Sequence, residues 1–105
     1  MTLSTNAQML LSAIKNNSLW EQDAIKVLFP APVYTKETAA AYWQWDVNLY
    51  GNPNSRPVNG ESVFFTPTAN YADITQSAVK ELKAQDLIRS ANNGYNDYAY
   101  HYTGK

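Results

Sequence analysis

An amphipathic pattern opens the chain and predicts a first helix. Between Ser4 and Asn16, apolar side chains recur at the spacing of one helix face. They are Ala7, Leu10, Leu11 and Ile14. Ser4 or Thr5 can cap the first turn, because a hydroxyl oxygen there accepts a hydrogen bond from a free backbone amide.

A second helix is predicted after the polar break at residues 16–18. Ser18 and Glu21 have the spacing of a capping box, in which each side chain bonds a backbone amide at the helix start. The expected buried stripe is Ala24, Ile25 and Leu28. This helix runs through Phe29, because prolines follow and end it.

The pattern is least regular in the middle of the chain, where all five prolines lie. A short helix over residues 35–41 followed by a strand is favoured, because apolar and polar side chains alternate from Trp43 to Leu49. A single helix over residues 36–49 is the alternative, because Ala41, Trp45 and Leu49 lie four apart.

Turn-forming composition predicts open loop over residues 50–60, which are rich in Gly, Asn and Pro. Residues 62–65 are apolar enough for a strand or for the start of a helix, and the pattern leaves both open. Thr66 and Pro67 form a cap and first-turn pair, which predicts a short helix over residues 67–72.

Residues 70–103 carry the clearest pattern and predict a helix followed by a β-hairpin. The helix begins near Thr75 and ends near Asp86, a residue that tolerates the left-handed conformation. Its apolar face is Ala78, Val79 and Leu82. A strand then begins at residue 87, residues 92–94 supply a turn, and residues 98–102 alternate as the returning strand.

Composition fits one globular domain: 105 residues, of which 45% are hydrophobic and 16% charged. The net charge of −1 counts against strong DNA binding, because phosphate neutralisation by Lys and Arg supplies most of that affinity. The absence of Cys excludes disulfides and thiolate chemistry. No signal peptide or membrane span is evident near the N-terminus, so a cytoplasmic location without a membrane partner is expected.

Residues 74–82, ITQSAVKEL, resemble the recognition helix of winged helix-turn-helix regulators. Residues 82–89, LKAQDLIR, resemble the helix-to-wing junction of that superfamily. The first helix would match the superfamily's first helix, and residues 67–72 its second. The resemblance implies an α+β fold: a single winged-helix-like domain over residues 1–105 with a C-terminal hairpin and an irregular Pro- and aromatic-rich insertion at residues 30–66.

The resemblance also implies a set of DNA contacts, because early residues of the recognition helix reach base edges and the wing touches the DNA backbone or minor groove. The matching helix positions are Thr75, Gln76, Ser77 and Lys80, with Lys83 as a phosphate contact. The matching wing positions are Arg89, Asn92, Asn93 and Tyr95. The alternative is that these are ordinary polar residues on a solvated surface.

A cluster of large aromatic residues is the alternative site: Tyr42, Trp43, Trp45 and Tyr50. Such residues dominate protein interfaces, although a packed core strand would also explain them. The leading hypothesis is a small protein that binds double-stranded DNA as an accessory or regulatory factor, as a homodimer. The alternative is a non-enzymatic protein-interaction module that uses the aromatic surface.

Enzymatic and cofactor chemistry finds no support in the pattern. His101 is the only histidine, and no nucleophile motif accompanies it. The glycines are isolated and the carboxylates scattered, so neither a phosphate-binding loop nor a metal site is expected. We therefore predict no catalytic residues, no metal and no cofactor.

Overall fold

The computed structural model describes residues 2–92 and 98–105, and for residues 91, 92 and 98 it describes the backbone alone. The elements in order are α1 (Thr5–Asn16), β1 (Leu19–Trp20), α2 (Glu21–Leu28), α3 (Ala39–Tyr50), β2 (Asn54–Val58), β3 (Glu61–Phe65), α4 (Tyr71–Ala84), β4 (Ile88–Asn92) and β5 (Tyr98–Tyr102). The predicted α+β class is confirmed. Within the described ranges, no helix is both long and apolar enough to cross a membrane.

The chain divides into two compact units. The first unit comprises Met1–Phe29 and Asp73–Lys105, and the inserted unit is Pro30–Ala72. The predicted insertion over residues 30–66 therefore extends to residue 72, and each unit is described separately below.

The first unit contains a three-stranded antiparallel sheet with the strand order β1-β5-β4. Leu19 pairs with Tyr100, and Ile88 pairs with Tyr102. The helix and hairpin predicted over residues 70–103 are thus confirmed. Of the predicted turn at residues 92–94, residues 93 and 94 lie outside the described residues.

The core of the first unit joins α1, α2 and α4 to the sheet. Its buried members are Ala7, Leu10, Ile14, Ala24, Ala78, Val79, Leu82, Ile88 and Tyr100. Leu10 and Leu82 are 0% exposed, and burial of such a side chain contributes about 1.5 to 3 kcal/mol. The apolar faces predicted for the first helix and for the C-terminal helix are therefore the core faces.

Ser4 caps α1, as predicted, and also binds α4. Its Oγ accepts a hydrogen bond from the backbone amide of Ala7 at 3.2 Å. The Ser4 backbone amide donates to Glu81 Oε1 at 2.9 Å, and the hydroxyl donates to Glu81 Oε2 at 2.6 Å. One serine thus satisfies the helix start and links it to α4.

The capping box predicted at Ser18 and Glu21 is wrong. Leu19–Trp20 is a strand that pairs with β5, so the chain is extended where the helix was expected to begin. α2 starts at Glu21 without a side-chain cap, and Ser18 Oγ instead bonds Nδ1 of His101 at 2.5 Å. Pairing with a distant strand outweighed the local signal.

The two ends of α4 differ in how well the pattern predicted them. The short helix expected over residues 67–72 is wrong: residues 66–70 are not helical, and α4 begins at Tyr71. The backbone amide of Thr68 there donates to Oδ1 of Asn48 at 2.8 Å, a tertiary bond in place of a helical one. The predicted stop at Asp86 is confirmed, because Asp86 has a φ of 57° and its amide donates to Lys83 O.

The inserted unit contains one continuous helix, α3, so the strand favoured from Trp43 is wrong and the alternative helix is correct. The alternation misled because α3 is buried on several sides: Trp45, Val47 and Leu49 are buried, and so is Asn48 at 4% exposed. Asn48 Oδ1 accepts hydrogen bonds from Gln44 Nε2 and from the Thr68 amide. One polar residue of the alternating pattern, Asn48, is therefore internal.

An antiparallel hairpin, β2 with β3, lies where residues 50–60 were expected to form open loop. Asn59 and Gly60 form its two-residue turn, with φ of 53° and 87°. Positive φ at both positions is the type I′ turn that suits the twist of paired strands. The insertion is therefore regular, and the undecided residues 62–65 are part of a strand.

Candidate functional site

Helix α4 presents one face to the core of the first unit and the opposite face to solvent. The exposed residues recur at helical spacing and are Asp73, Ser77, Lys80 and Ala84. Lys83 is also exposed and lies beside this face, with Nζ 5.7 Å from the centroid of the Tyr100 ring. The exposed face of α4 thus carries small and charged side chains suited to approach by a ligand.

Thr75 is not part of this exposed face, so its predicted contact with a base is wrong. Its side chain is 0% exposed on the core side of α4. Its Oγ1 is buried without a hydrogen-bond partner among the described residues. A buried hydroxyl of this kind destabilises the fold and cannot reach DNA.

Gln76 is used inside the first unit. Its Nε2 donates to Glu21 Oε1 at 3.1 Å and to the hydroxyl of Tyr100 at 3.0 Å. Burial raises the pKa of Tyr100, against the opposing effect of the Gln76 hydrogen bond, and the Glu21 charge raises it further. Base readout by Gln76, as the sequence predicted, would require breaking this link between α4, α2 and β5.

The remaining predicted DNA contacts divide into exposed and undescribed residues. Ser77, Lys80, Lys83 and Arg89 are exposed, although Ser77 Oγ also donates to the carbonyl of Asp73 at 3.2 Å. Asn93, Tyr95 and the side chain of Asn92 lie outside what the structure describes. The structure therefore leaves Ser77, Lys80, Lys83 and Arg89 as the candidate interface.

Acidic groups reduce the positive electrostatic potential around this candidate interface. Asp73 lies on the same face of α4, and Glu21 adjoins Gln76. The side-chain and backbone hydrogen bonds from Ser4 lower the pKa of Glu81, so that carboxylate stays charged at neutral pH. Asp86 forms an ion pair with Lys105. Any affinity for phosphate must come from a few basic side chains.

The inserted unit holds the aromatic cluster, which we define as Tyr34, Tyr42, Trp43 and Trp45. Tyr42 lies 5.1 Å from Trp43 and 5.2 Å from Tyr34, centroid to centroid, in edge-to-face contacts. Trp45 lies 5.8 Å from Tyr42 and is 9% exposed. Edge-to-face pairs of this kind stabilise by about 0.5 to 1.5 kcal/mol each. The cluster therefore stabilises the inserted unit, and it also contributes the exposed aromatic side chain of Tyr34 to the surface of that unit.

Three of the four predicted aromatic residues meet in this cluster, and Tyr50 does not take part in its ring contacts. Tyr34 is the member that the pattern missed. It is held by the adjacent Thr35, because the Thr35 amide donates to Thr38 Oγ1 and the Thr38 amide donates to Thr35 Oγ1. These hydrogen bonds close a turn beside Tyr34. The sequence signal for this turn was the pair of threonines, Thr35 and Thr38, three residues apart.

The inserted unit also has a polar pocket of about 230 Å³. Its lining residues are Asp46, Val47, Tyr50, Asn52, Asn54 and Arg56. Asp46 Oδ2 and Arg56 Nη2 are 3.9 Å apart, and the Arg56 guanidinium stacks 5.1 Å from the Trp43 ring centroid. The pocket thus combines both signs of charge with amide groups and an aromatic ring.

Comparison with protein-family models, curated proteins and solved structures finds no match for this chain.

Proposed function

We propose that the first unit is a winged helix that binds double-stranded DNA as a non-enzymatic accessory or regulatory factor in the cytoplasm. The order of elements supports this proposal: α1, α2 and α4 precede the hairpin β4–β5. In this assignment α2 takes the place predicted for residues 67–72, and the inserted unit separates the second helix from the third. β1 adds a third strand to the wing sheet.

The exposed face of α4 is the observation that best supports DNA binding. An α-helix fits the DNA major groove when the side chains on one face can approach the base edges. Ser77 and Lys80 lie on such a face, and the small Ala84 adds little bulk there. Lys83 and Arg89 supply flanking positive charge for phosphates.

Few basic residues imply weak binding by one protomer. Lys80 and Lys83 share α4 with the acidic residues Asp73 and Glu81, and the chain as a whole has a net charge of −1. We therefore propose that the protein acts as a homodimer, because two recognition helices on adjacent half-sites add their contacts.

Binding to mixed-sequence duplex DNA at low salt tests the proposal. Wild-type protein and the variants Lys80→Ala and Lys83→Ala are compared by fluorescence anisotropy. Lys36→Ala, an exposed lysine of the inserted unit, is the matched control. Loss of affinity in both α4 variants but not in the control supports DNA binding through α4. Equal affinity in all four proteins removes α4 from the interface, and no binding of the wild type at low salt excludes DNA binding.

Protein interaction through the inserted unit is the second candidate function, and a separate observation favours it. Four of the large apolar side chains that are exposed lie in this unit: Val33, Tyr34, Tyr50 and Phe64, at 78%, 52%, 61% and 65%. Large apolar and aromatic side chains that stay exposed are candidates for contact with a protein partner.

The two functions are separable by substitution. Tyr50→Ser and Phe64→Ser should leave the fold and any DNA affinity intact, because both side chains are largely exposed and lie outside the ring contacts of the aromatic cluster. A partner that binds the wild type and Lys80→Ala, but neither aromatic variant, would favour protein interaction. A partner retained by all variants would count against this surface.

A further inference from the structure

We propose that the polar pocket of the inserted unit binds a free α-amino acid in its zwitterionic form. The inference is independent of DNA binding, since it uses residues of the inserted unit alone. At about 230 Å³, the pocket is smaller than the roughly 300 to 1,000 Å³ of sites for larger organic ligands. A single small metabolite is the ligand that fits.

An incompletely bonded charge pair provides the recognition groups. Asp46 Oδ2 and Arg56 Nη2 are 3.9 Å apart, which is longer than the roughly 2.7 to 3.2 Å of an N–H···O hydrogen bond. Their side chains are 19% and 32% exposed. Both groups therefore keep hydrogen-bonding capacity that a ligand can use.

Arg56 is held in place before any ligand arrives. Its guanidinium lies 5.1 Å from the centroid of the Trp43 ring, and its Nη1 donates to the carbonyl of Ser55 at 3.3 Å. The indole Nε1 of Trp43 in turn donates to the carbonyl of Pro57 at 3.1 Å. Preorganised groups lose little freedom on binding, and this raises affinity.

The other walls complete a site for a carboxylate and for an apolar side chain. Asn54 Oδ1 accepts a hydrogen bond from the Ser55 amide at 2.9 Å, which leaves the Nδ2 of Asn54 to donate elsewhere. Nδ2 can therefore supply a second donor beside Arg56. Val47, which is buried, and the ring of Tyr50 offer apolar contact.

The paired charges select a dipolar ligand. A simple anion is attracted to Arg56 but repelled by Asp46. A simple cation is attracted to Asp46 but repelled by Arg56. In an amino acid the ammonium and carboxylate groups are adjacent, as Asp46 and Arg56 are, so all four charges find opposite partners. Such charge-assisted hydrogen bonds are about twice as strong as neutral ones, which favours the zwitterion over an uncharged amide or nucleobase.

Titration of L-leucine into ¹⁵N-labelled full-length protein, followed by NMR, tests the ligand class. We expect saturable shifts at Val47, Tyr50 and the side-chain amides of Asn52 and Asn54. N-acetyl-L-leucine lacks the ammonium group and L-leucinamide lacks the carboxylate, so each should bind at least about ten-fold more weakly. Absence of saturable shifts overturns the proposal, as does binding of either analogue as tightly as L-leucine or tighter binding of adenine or uracil.

Substitutions test the residues. Asp46→Asn and Arg56→Gln should each weaken L-leucine binding at least about ten-fold, while the matched controls Glu61→Gln and Lys36→Gln, outside the pocket, leave it unchanged. Thermal unfolding shows which variants fold. If Arg56→Gln fails to fold, Asp46→Asn decides alone. A folded Asp46→Asn that binds L-leucine like the wild type overturns the assignment.

Discussion

Replacement of Thr75 by valine should stabilise the protein. The Thr75 side chain is 0% exposed and its Oγ1 has no hydrogen-bond partner among the described residues. Valine has nearly the same shape and a similar helix propensity, so the substitution chiefly removes a buried, unsatisfied hydroxyl. Such a group costs about 1 to 3 kcal/mol, and we expect a gain of about 1 kcal/mol or more.

Thermal and urea unfolding measure this gain. For a domain of this size, 1 kcal/mol corresponds to a rise of about 4 °C or more in the Tm. Ser77→Ala is the matched control on the exposed face of the same helix, and it should change stability by less than about 0.5 kcal/mol.

Two results would refute the reasoning about Thr75. A loss of stability in Thr75→Val would mean that the hydroxyl has a partner, such as an internal water molecule or a backbone carbonyl. A stable Thr75→Val that specifically lost DNA affinity would restore Thr75 to the interface. We expect instead that DNA affinity is unchanged, since the side chain lies in the core.

Three further predictions follow from single contacts. Glu81 has a lowered pKa in the folded protein, so its contribution to stability is present at neutral pH and is lost as the pH falls below the ordinary value of 4.5. The free energy of unfolding, measured with urea across this pH range, should therefore depend less on acid in Ser4→Ala than in the wild type. Gly60→Ala should destabilise the inserted unit by about 1 kcal/mol, measured by its unfolding, because Gly60 has a φ of 87°. If Lys80, Lys83 and Arg89 each neutralise one phosphate, the logarithm of the DNA association constant should fall with the logarithm of the salt concentration at a slope of about −2.7 per protomer. Lys80→Ala should make this slope shallower by about 0.9. An unchanged slope would remove Lys80 from the interface.

Local signals predicted the parts of the fold whose ends are set by nearby residues. The Ser4 cap begins α1, and Asp86 in the left-handed conformation ends α4. The Asn59–Gly60 turn was a signal of the same kind, but the surrounding Gly, Asn and Pro residues made loop the stronger expectation. Its two strands are stable because they pair with each other.

Long-range pairing decided the elements that the pattern missed. Leu19–Trp20 is too short to show periodicity and is a strand because β5 lies beside it. The alternation around Trp45 indicated a strand, but α3 buries polar Asn48 through hydrogen bonds to Thr68 and Tyr71. A pattern of polar and apolar residues cannot tell a solvated side chain from one satisfied by a distant partner.

The candidate site shows the same division. From the sequence alone, the C-terminal helix and hairpin, the balanced charge and the aromatic richness of the middle segment could be stated, because each depends on neighbouring residues or on composition. Only the tertiary structure decided that Thr75 is buried while Ser77 and Lys80 are exposed, and that Asp46 and Arg56 share a pocket. The burial of Thr75 depends on how α4 packs against the core, and the pairing of Asp46 with Arg56 depends on how β2 packs beside α3. Both arrangements are determined by contacts between residues that lie in different elements of the chain.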